Sequence, residues 1–210
     1  MTPEQLETEL QKAKSDMDTV LQQLASGASE PERDILVRRY NDLRVQAARI
    51  RQELARLTGE EYAILLDIGV VPEYAISRPI LFQTDRHCIL LFNVHSPDVN
   101  DQESQAIIQF DGVSKTQFGL PNDEALDGHP LSKRGLDTYD VFEVLNSQWL
   151  LQEKARNQVC FPNFELDCRH FIFTFHDSSF ECLAKGFSVN IDSRPFAEIW
   201  AELFDLTHEA

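Results

Sequence analysis

The sequence predicts an α+β protein: an N-terminal antiparallel helical hairpin of coiled-coil type, then a mostly antiparallel sheet with two or more packing helices. Three observations lead there. Apolar residues recur four and three positions apart as far as Leu57, the period falls towards two from Tyr62 onward, and strands are not regularly interleaved with helices as a doubly wound parallel sheet requires.

Thr2-Pro3-Glu4-Gln5 has the composition of a capping box with proline at the first helical position. Leu6, Leu10, Ala13, Met17, Val20 and Leu24 then form a heptad seam, which Ser26-Gly27 ends. Ser29-Glu30-Pro31-Glu32 opens a second helix. Its seam is Leu36, Tyr40, Leu43, Ala47, Ile50, Leu54 and Leu57, and Thr58-Gly59 closes it. Two capped helices joined by a short polar loop make a hairpin. With one narrow apolar seam per helix, residues 3–58 are expected to complete their burial by homo-oligomerisation or against the rest of the chain.

From residue 62 the runs Tyr62–Val71, Ile76–Gln83, His87–Val94 and Gln105–Val113 are rich in strand formers and separated by Pro, Asp, Asn and Ser. Cys88–Phe92 is continuously apolar, as a strand covered on both faces would be. Val141–Leu145 reads as a short strand, and Ser147 caps a helix reaching about Asn157. Arg169–Phe175 and Phe180–Phe187 read as a hairpin in which His176 pairs with Glu181 and Phe175 faces Cys182. Pro195 starts a last helix with Phe196, Ile199, Trp200, Leu203 and Phe204 on one face, and Glu198, Glu202 and Asp205 outside.

Charge divides at the same place as the pattern. The 210 residues carry 35 acidic and 19 basic side chains, a net charge of −16. Residues 1–59 hold nine basic and ten acidic groups, whereas residues 60–210 hold ten and 25. Two domains follow: 1–59, a helical hairpin for oligomerisation or docking, and 60–210, an acidic α+β domain. Phosphate affinity needs clustered Lys and Arg, so nucleic acid is not an expected partner. The seven arginines of the second helix (33, 38, 39, 44, 49, 51 and 56) read as a solvated face opposite Glu7, Glu9, Asp16 and Asp18. No apolar run is long enough to span a membrane, and the polar N-terminus has no signal-peptide pattern, so a cytoplasmic location is expected.

Short motifs are absent. The glycines form neither GxGxxG nor GxxxxGK[ST], and there is no GxSxG or HExxH, so no cofactor is implied. Two groups of residues could carry chemistry. Residues 118–136 form a long polar segment whose Asn122, Asp123, Glu124, Asp127 and His129 suit a binding surface. Asp123, Glu124 and His129 would also suit a divalent metal. His176, Asp177 and Glu181 gather at the expected hairpin tip and could make a base with an orienting acid, with His129 joining by a tertiary contact. A structural His–Glu pair is the competing reading. His170, six residues from His176, is too far along the strand to share a metal with it. Cys88 and Cys182 read as buried, Cys160 and Cys168 as loop cysteines, and Asp98–Glu103 as a weak calcium pattern without the EF-hand glycine.

The composition supports a non-enzymatic acidic interaction module, an inhibitor or adaptor for a basic protein. Bacterial immunity proteins offer an analogy of charge and size only. The alternative is a hydrolase with an atypical, possibly metal-assisted site of His129, His176, Asp177 and Glu181, built from the 118–136 loop and the 176–181 tip. It requires those segments to converge.

Overall fold

A computed structural model describes residues 1–26, 29–74, 77–94 and 104–205. The chain is α+β and forms two compact units. The first comprises Met1–Ile64 with Pro130–Leu136; the second comprises Leu65–His129 with the chain from Asp137 on. The division thus falls after Ile64 rather than at Gly59, and part of the long polar segment belongs to the first unit.

In the first unit, α1 (Pro3–Ala25) starts at a reciprocal cap: the Thr2 N–H donates to Gln5 Oε1 at 2.9 Å, and the Gln5 N–H to Thr2 Oγ1 at 3.3 Å. Helix α2 (Glu30–Thr58) starts where the Ser29 N–H and hydroxyl both donate to Glu32, at 3.1 and 2.6 Å. It stops because Gly59 adopts a left-handed conformation (φ +72°), letting the Glu60 N–H return to the Ala55 carbonyl at 2.9 Å. The two helices pack on one another, and Leu6, Ala13, Val20, Ala47, Ile50 and Ala55 are buried. Gly27 lies outside the described residues.

Pro130–Leu136 docks beside the end of α2. The Ala63 N–H donates to the Arg134 carbonyl at 2.9 Å, Gln52 Nε2 to the Ala63 carbonyl at 2.5 Å, and Arg134 pairs with Glu60 at 3.0 Å. Leu131 and Leu136 are buried. Gly135 fits here for two reasons: its φ is +106°, and an added Cβ would lie 2.2 Å from the Ala63 carbonyl oxygen.

The second unit holds two antiparallel sheets. The strands are β1 (Tyr62–Leu65, crossing the division), β2 (Ile80–Gln83), β3 (Cys88–Val94), β4 (Ser104–Asp111), β5 (Lys115–Gly119), β6 (Val141–Leu145), β7 (Arg169–Thr174), β8 (Ser179–Ala184) and β9 (Gly186–Asp192). Their orders are β1-β6-β7-β8-β5 and β2-β3-β4-β9. Leu90 and Phe92 of β3, with Ile108 and Phe110 of β4, share one core with Phe171 and Phe173 of β7 and Phe180 and Cys182 of β8. Phe110 meets Phe173 and Phe180 at ring distances of 5.6 and 5.4 Å. The alternate β3 residues Ile89 and Leu91 pack under Ile199 and Leu203 of α4 (Phe196–Asp205). Both faces of β3 are therefore covered, which accounts for its unbroken apolar run. Helix α3 (Gln148–Gln158) lies over the outer face of β7, capped by Ser147, whose Oγ accepts from the Leu150 N–H at 3.2 Å.

Several local expectations are corrected. The β7–β8 register pairs Phe173 with Phe180 and Phe171 with Cys182, so neither His176–Glu181 nor Phe175–Cys182 is a pair. The turn closes earlier than expected, through the Phe175 N–H to the Ser178 carbonyl at 2.9 Å. The slip is by whole two-residue steps, so the same side chains still face inward. The second strand also divides: β8 ends at Ala184, the Lys185 N–H donates to the Asp111 carbonyl, and Gly186 begins β9 in the other sheet. Lys115–Gly119 is an unanticipated strand, and only Tyr62–Leu65 of the run to Val71 is one. Ile76 and the Asp98–Glu103 calcium pattern fall outside the described residues.

Gly135→Ala should destabilise the protein by about 2–3 kcal/mol, combining strain at positive φ with a backbone clash. Chemical denaturation measures this; unchanged stability would show that Pro130–Leu136 is not held as described.

Candidate functional site

The outer face of the five-stranded sheet should be apolar where α3 covers it, yet β7 and β8 place His170 and Glu181 there. Their register sets Ile172 opposite Glu181 and Leu183 opposite His170, so His170 and Glu181 are diagonal neighbours. His170 Nε2 lies 3.0 Å from Glu181 Oε2, and Ser147 Oγ lies 2.8 Å from His170 Nδ1. His129, just after the 3-10 turn Leu126–Gly128, brings Nε2 to 3.5 Å from Glu181 Oε1. Trp149 stands edge-on to the His170 ring at 5.2 Å. Ser147, His170 and Glu181 are only 6, 4 and 9% exposed.

Donor and acceptor roles in this chain can be assigned from the bonds themselves. The ionised Glu181 can only accept, so His170 carries a proton on Nε2 and donates it to Glu181. With the ring neutral, Nδ1 accepts from the Ser147 hydroxyl, whose oxygen also accepts from the Leu150 N–H. Burial on its own would raise the Glu181 carboxyl; the hydrogen bonds from His129 and His170 outweigh it and bring the group down to about 2. Ser, His and Glu stand in the order of a nucleophile, a base and an orienting acid. Here, however, the serine oxygen caps a helix and the chain is buried, so the arrangement acts as a clamp between α3, the sheet and the segment ending at His129.

The second group lies at the β7–β8 turn. The Asp123 N–H donates to the His176 carbonyl at 3.1 Å, attaching the 118–129 segment to the turn. His176 Nδ1 is 2.9 Å from Asp123 Oδ2 and 3.0 Å from the Tyr139 hydroxyl, which itself donates to Asp123. Tyr139 has φ +58° and lies nearly parallel to the His176 ring, with Tyr74 edge-on to it at 5.2 Å. The Tyr139 bond holds the Asp123 carboxyl below its ordinary range, with His176 adding to the effect. The Asp123 bond and charge raise His176 above the usual histidine range, and the Asp123 bond pushes the Tyr139 phenol up to about 12. Asp123 thus orients the imidazole, and His176 Nε2 lies 4.0 Å from Asp177 Oδ1.

The sequence-derived candidates therefore separate into two hydrogen-bonded groups: His129 with Glu181, and Asp123 with His176. Asp177 is exposed beside the second. Asn122 Oδ1 accepts from the Ala125 N–H at 3.1 Å, a local turn, while Glu124 and Asp127 are exposed. Glu181 takes His170 and His129 as partners rather than His176. Asp123 and His129 face different partners, and among the described residues no three His, Cys, Asp or Glu side chains gather as a metal site. In the sequence Ser147 is legible only as a helix cap, and nothing local marks Tyr139. The available signal for the first group was a histidine and a glutamate on neighbouring strands whose other outward residues, Ile172 and Leu183, are apolar. Cys88 and Cys182 are buried, with burial raising the Cys88 thiol to about 11; all four cysteines are free thiols.

The sign of the pH dependence follows from Glu181. Its folded-state value lies below the ordinary glutamate value of about 4.3, so its stabilisation is full above that pH and fades as pH falls towards about 2. Glu181→Gln should cost about 3 kcal/mol at neutral pH and flatten this acid limb. Urea unfolding across pH measures both, and an unaltered acid limb would remove Glu181 from the account.

Comparison of the chain with protein-family models, curated proteins and solved structures found no match.

Proposed function

We propose that this chain is a non-enzymatic acidic interaction module, of inhibitor or adaptor type. It binds a basic protein through its second unit and self-associates through an antiparallel, coiled-coil-like hairpin of α1 and α2. The observation that carries the reading is a difference in availability. Ser147, His170 and Glu181, the side chains best arranged for chemistry, are buried and bonded to one another. The accessible groups around the β7–β8 turn are carboxylates: Asp177 has 90% of its side chain exposed, Glu124 is also exposed, and both act electrostatically on His176. With 25 acids and ten bases from residue 60 onward, a field of one sign would speed encounter with a basic surface.

A second reading, a hydrolase with an atypical His/Asp/Glu site, draws on the meeting of the 118–129 segment with the turn. Asp123 holds His176 as an orienting acid holds a general base. In that reading, hydrolysis of activated esters rises with pH as His176 loses its proton, above the usual histidine range, and His176→Ala abolishes it.

The interaction reading is tested by low-salt capture of basic proteins. Binding should weaken steeply with salt, and Glu124→Lys/Asp177→Lys should weaken it at least about tenfold, as reversal of two rim charges would. Salt-independent binding, no binding at low salt, or an unaffected double variant would overturn it.

A further inference from the structure

Helix α1 carries two heptad rows with different fates. Leu6, Ala13 and Val20 (positions d) are only 1–3% exposed, covered within the unit. Leu10, Met17 and Leu24 (positions a) are only half-buried, and Leu21, at the adjoining e position, is 44% exposed. In helix α2 both rows are mixed: Ala47 and Ile50 are buried, Leu36, Tyr40, Leu43 and Leu54 are half-buried, Leu57 is exposed, and the e-position Val37 is 43% exposed. A two-helix contact needs only a and d. One e position in each helix, Leu21 and Val37, is apolar as well, which suits a second neighbour at that end, as in a four-helix bundle; Glu7, Lys14, Arg44 and Arg51 at other e positions are charged.

We propose that the missing neighbour is a second copy of this chain. The two α1–α2 pairs associate about a two-fold axis parallel to the helices, with both connecting segments at the same end. Each α1 then lies antiparallel to the α2 of the other copy. This rests on reading α1 and α2 as a self-associating hairpin, and adds its geometry.

Register and charge select this occupant. Antiparallel pairing that sets Leu21 against the second copy's Val37 carries Glu7 to the second copy's Arg51, since both steps span two heptads. The symmetry makes each contact twice. Lys14 meets Arg44 between them, with Asp18 one turn along from Lys14. Taken whole, α1 bears five acids and two lysines, whereas α2 bears seven arginines and five acids, so each α1 approaches an α2 of opposite net sign.

Sedimentation equilibrium of the full chain at micromolar concentration should give a dimer of twice 24.1 kDa. Leu21→Glu/Val37→Glu alters two exposed positions. It should leave the helical circular dichroism intact while weakening the dimer at least about tenfold. Glu7→Arg should weaken association, and Glu7→Arg/Arg51→Glu should restore it. A chain that is monomeric throughout overturns both the proposal and the self-association reading. An oligomer indifferent to Leu21→Glu/Val37→Glu, or a charge swap that fails to restore it, overturns this geometry and leaves self-association standing.

Discussion

One buried carboxylate organises the outer face of the five-stranded sheet. An ionised glutamate out of water costs several kcal/mol unless its oxygens are satisfied. Strand β8 directs Phe180 and Cys182 into the core and so fixes Glu181 on the opposite face, where it is only 9% exposed. Both oxygens must find donors locally. His170 supplies one from the adjacent strand, and His129 supplies the other from the end of a 3-10 turn distant in sequence. The demand propagates outward: His170 must present Nε2–H, so Nδ1 needs a donor, and that donor is the serine which also starts α3. The placement of a helix, a strand and a loop thus rests on one anion.

The same logic separates the two histidine groups. His170 is enclosed, with both ring nitrogens committed to protein partners. His176 has 45% of its side chain exposed; Nδ1 is committed to Asp123 and Tyr139, while Nε2 faces the exposed Asp177 at 4.0 Å. Groups consumed in holding the fold are poor reagents, whereas exposed carboxylates beside an oriented imidazole are available to whatever approaches. The proposed surface role of the turn rests on this difference in availability.

How much was legible in the sequence depends on how far apart the determining residues lie. The helices were plain because their determinants are local: Thr2 with Gln5, Ser29 with Glu32, the heptad rows and Gly59. The inward faces of β7 and β8 were readable as well, since alternation survives any slip by two residues. The register itself was not, because it is set by a turn closing between Phe175 and Ser178 and by the strand leaving for the other sheet at Lys185. The site was legible in part. Asp123, His129, His176 and Glu181 stood out as residue types, but their partners did not. Each true partner is brought close by a tertiary contact, Ser147 to His170 across 23 positions and Tyr139 to His176 across 37. Tyr139 carries no motif, and its left-handed backbone is visible only in the fold.

Charge gains meaning when divided in the same way. A net of −16 describes the chain, but repulsion acts between surfaces. If the acidic residues were spread evenly, two copies would repel wherever they met. Instead the helical pair is close to neutral, with α1 and α2 of opposite net sign, while the excess of acids lies from residue 60 onward. In the proposed assembly like copies would approach through the helices and repel through the acidic parts, leaving those for the proposed partner of the other sign. Segregating the charge is what makes the proposed self-association compatible with a net charge of −16.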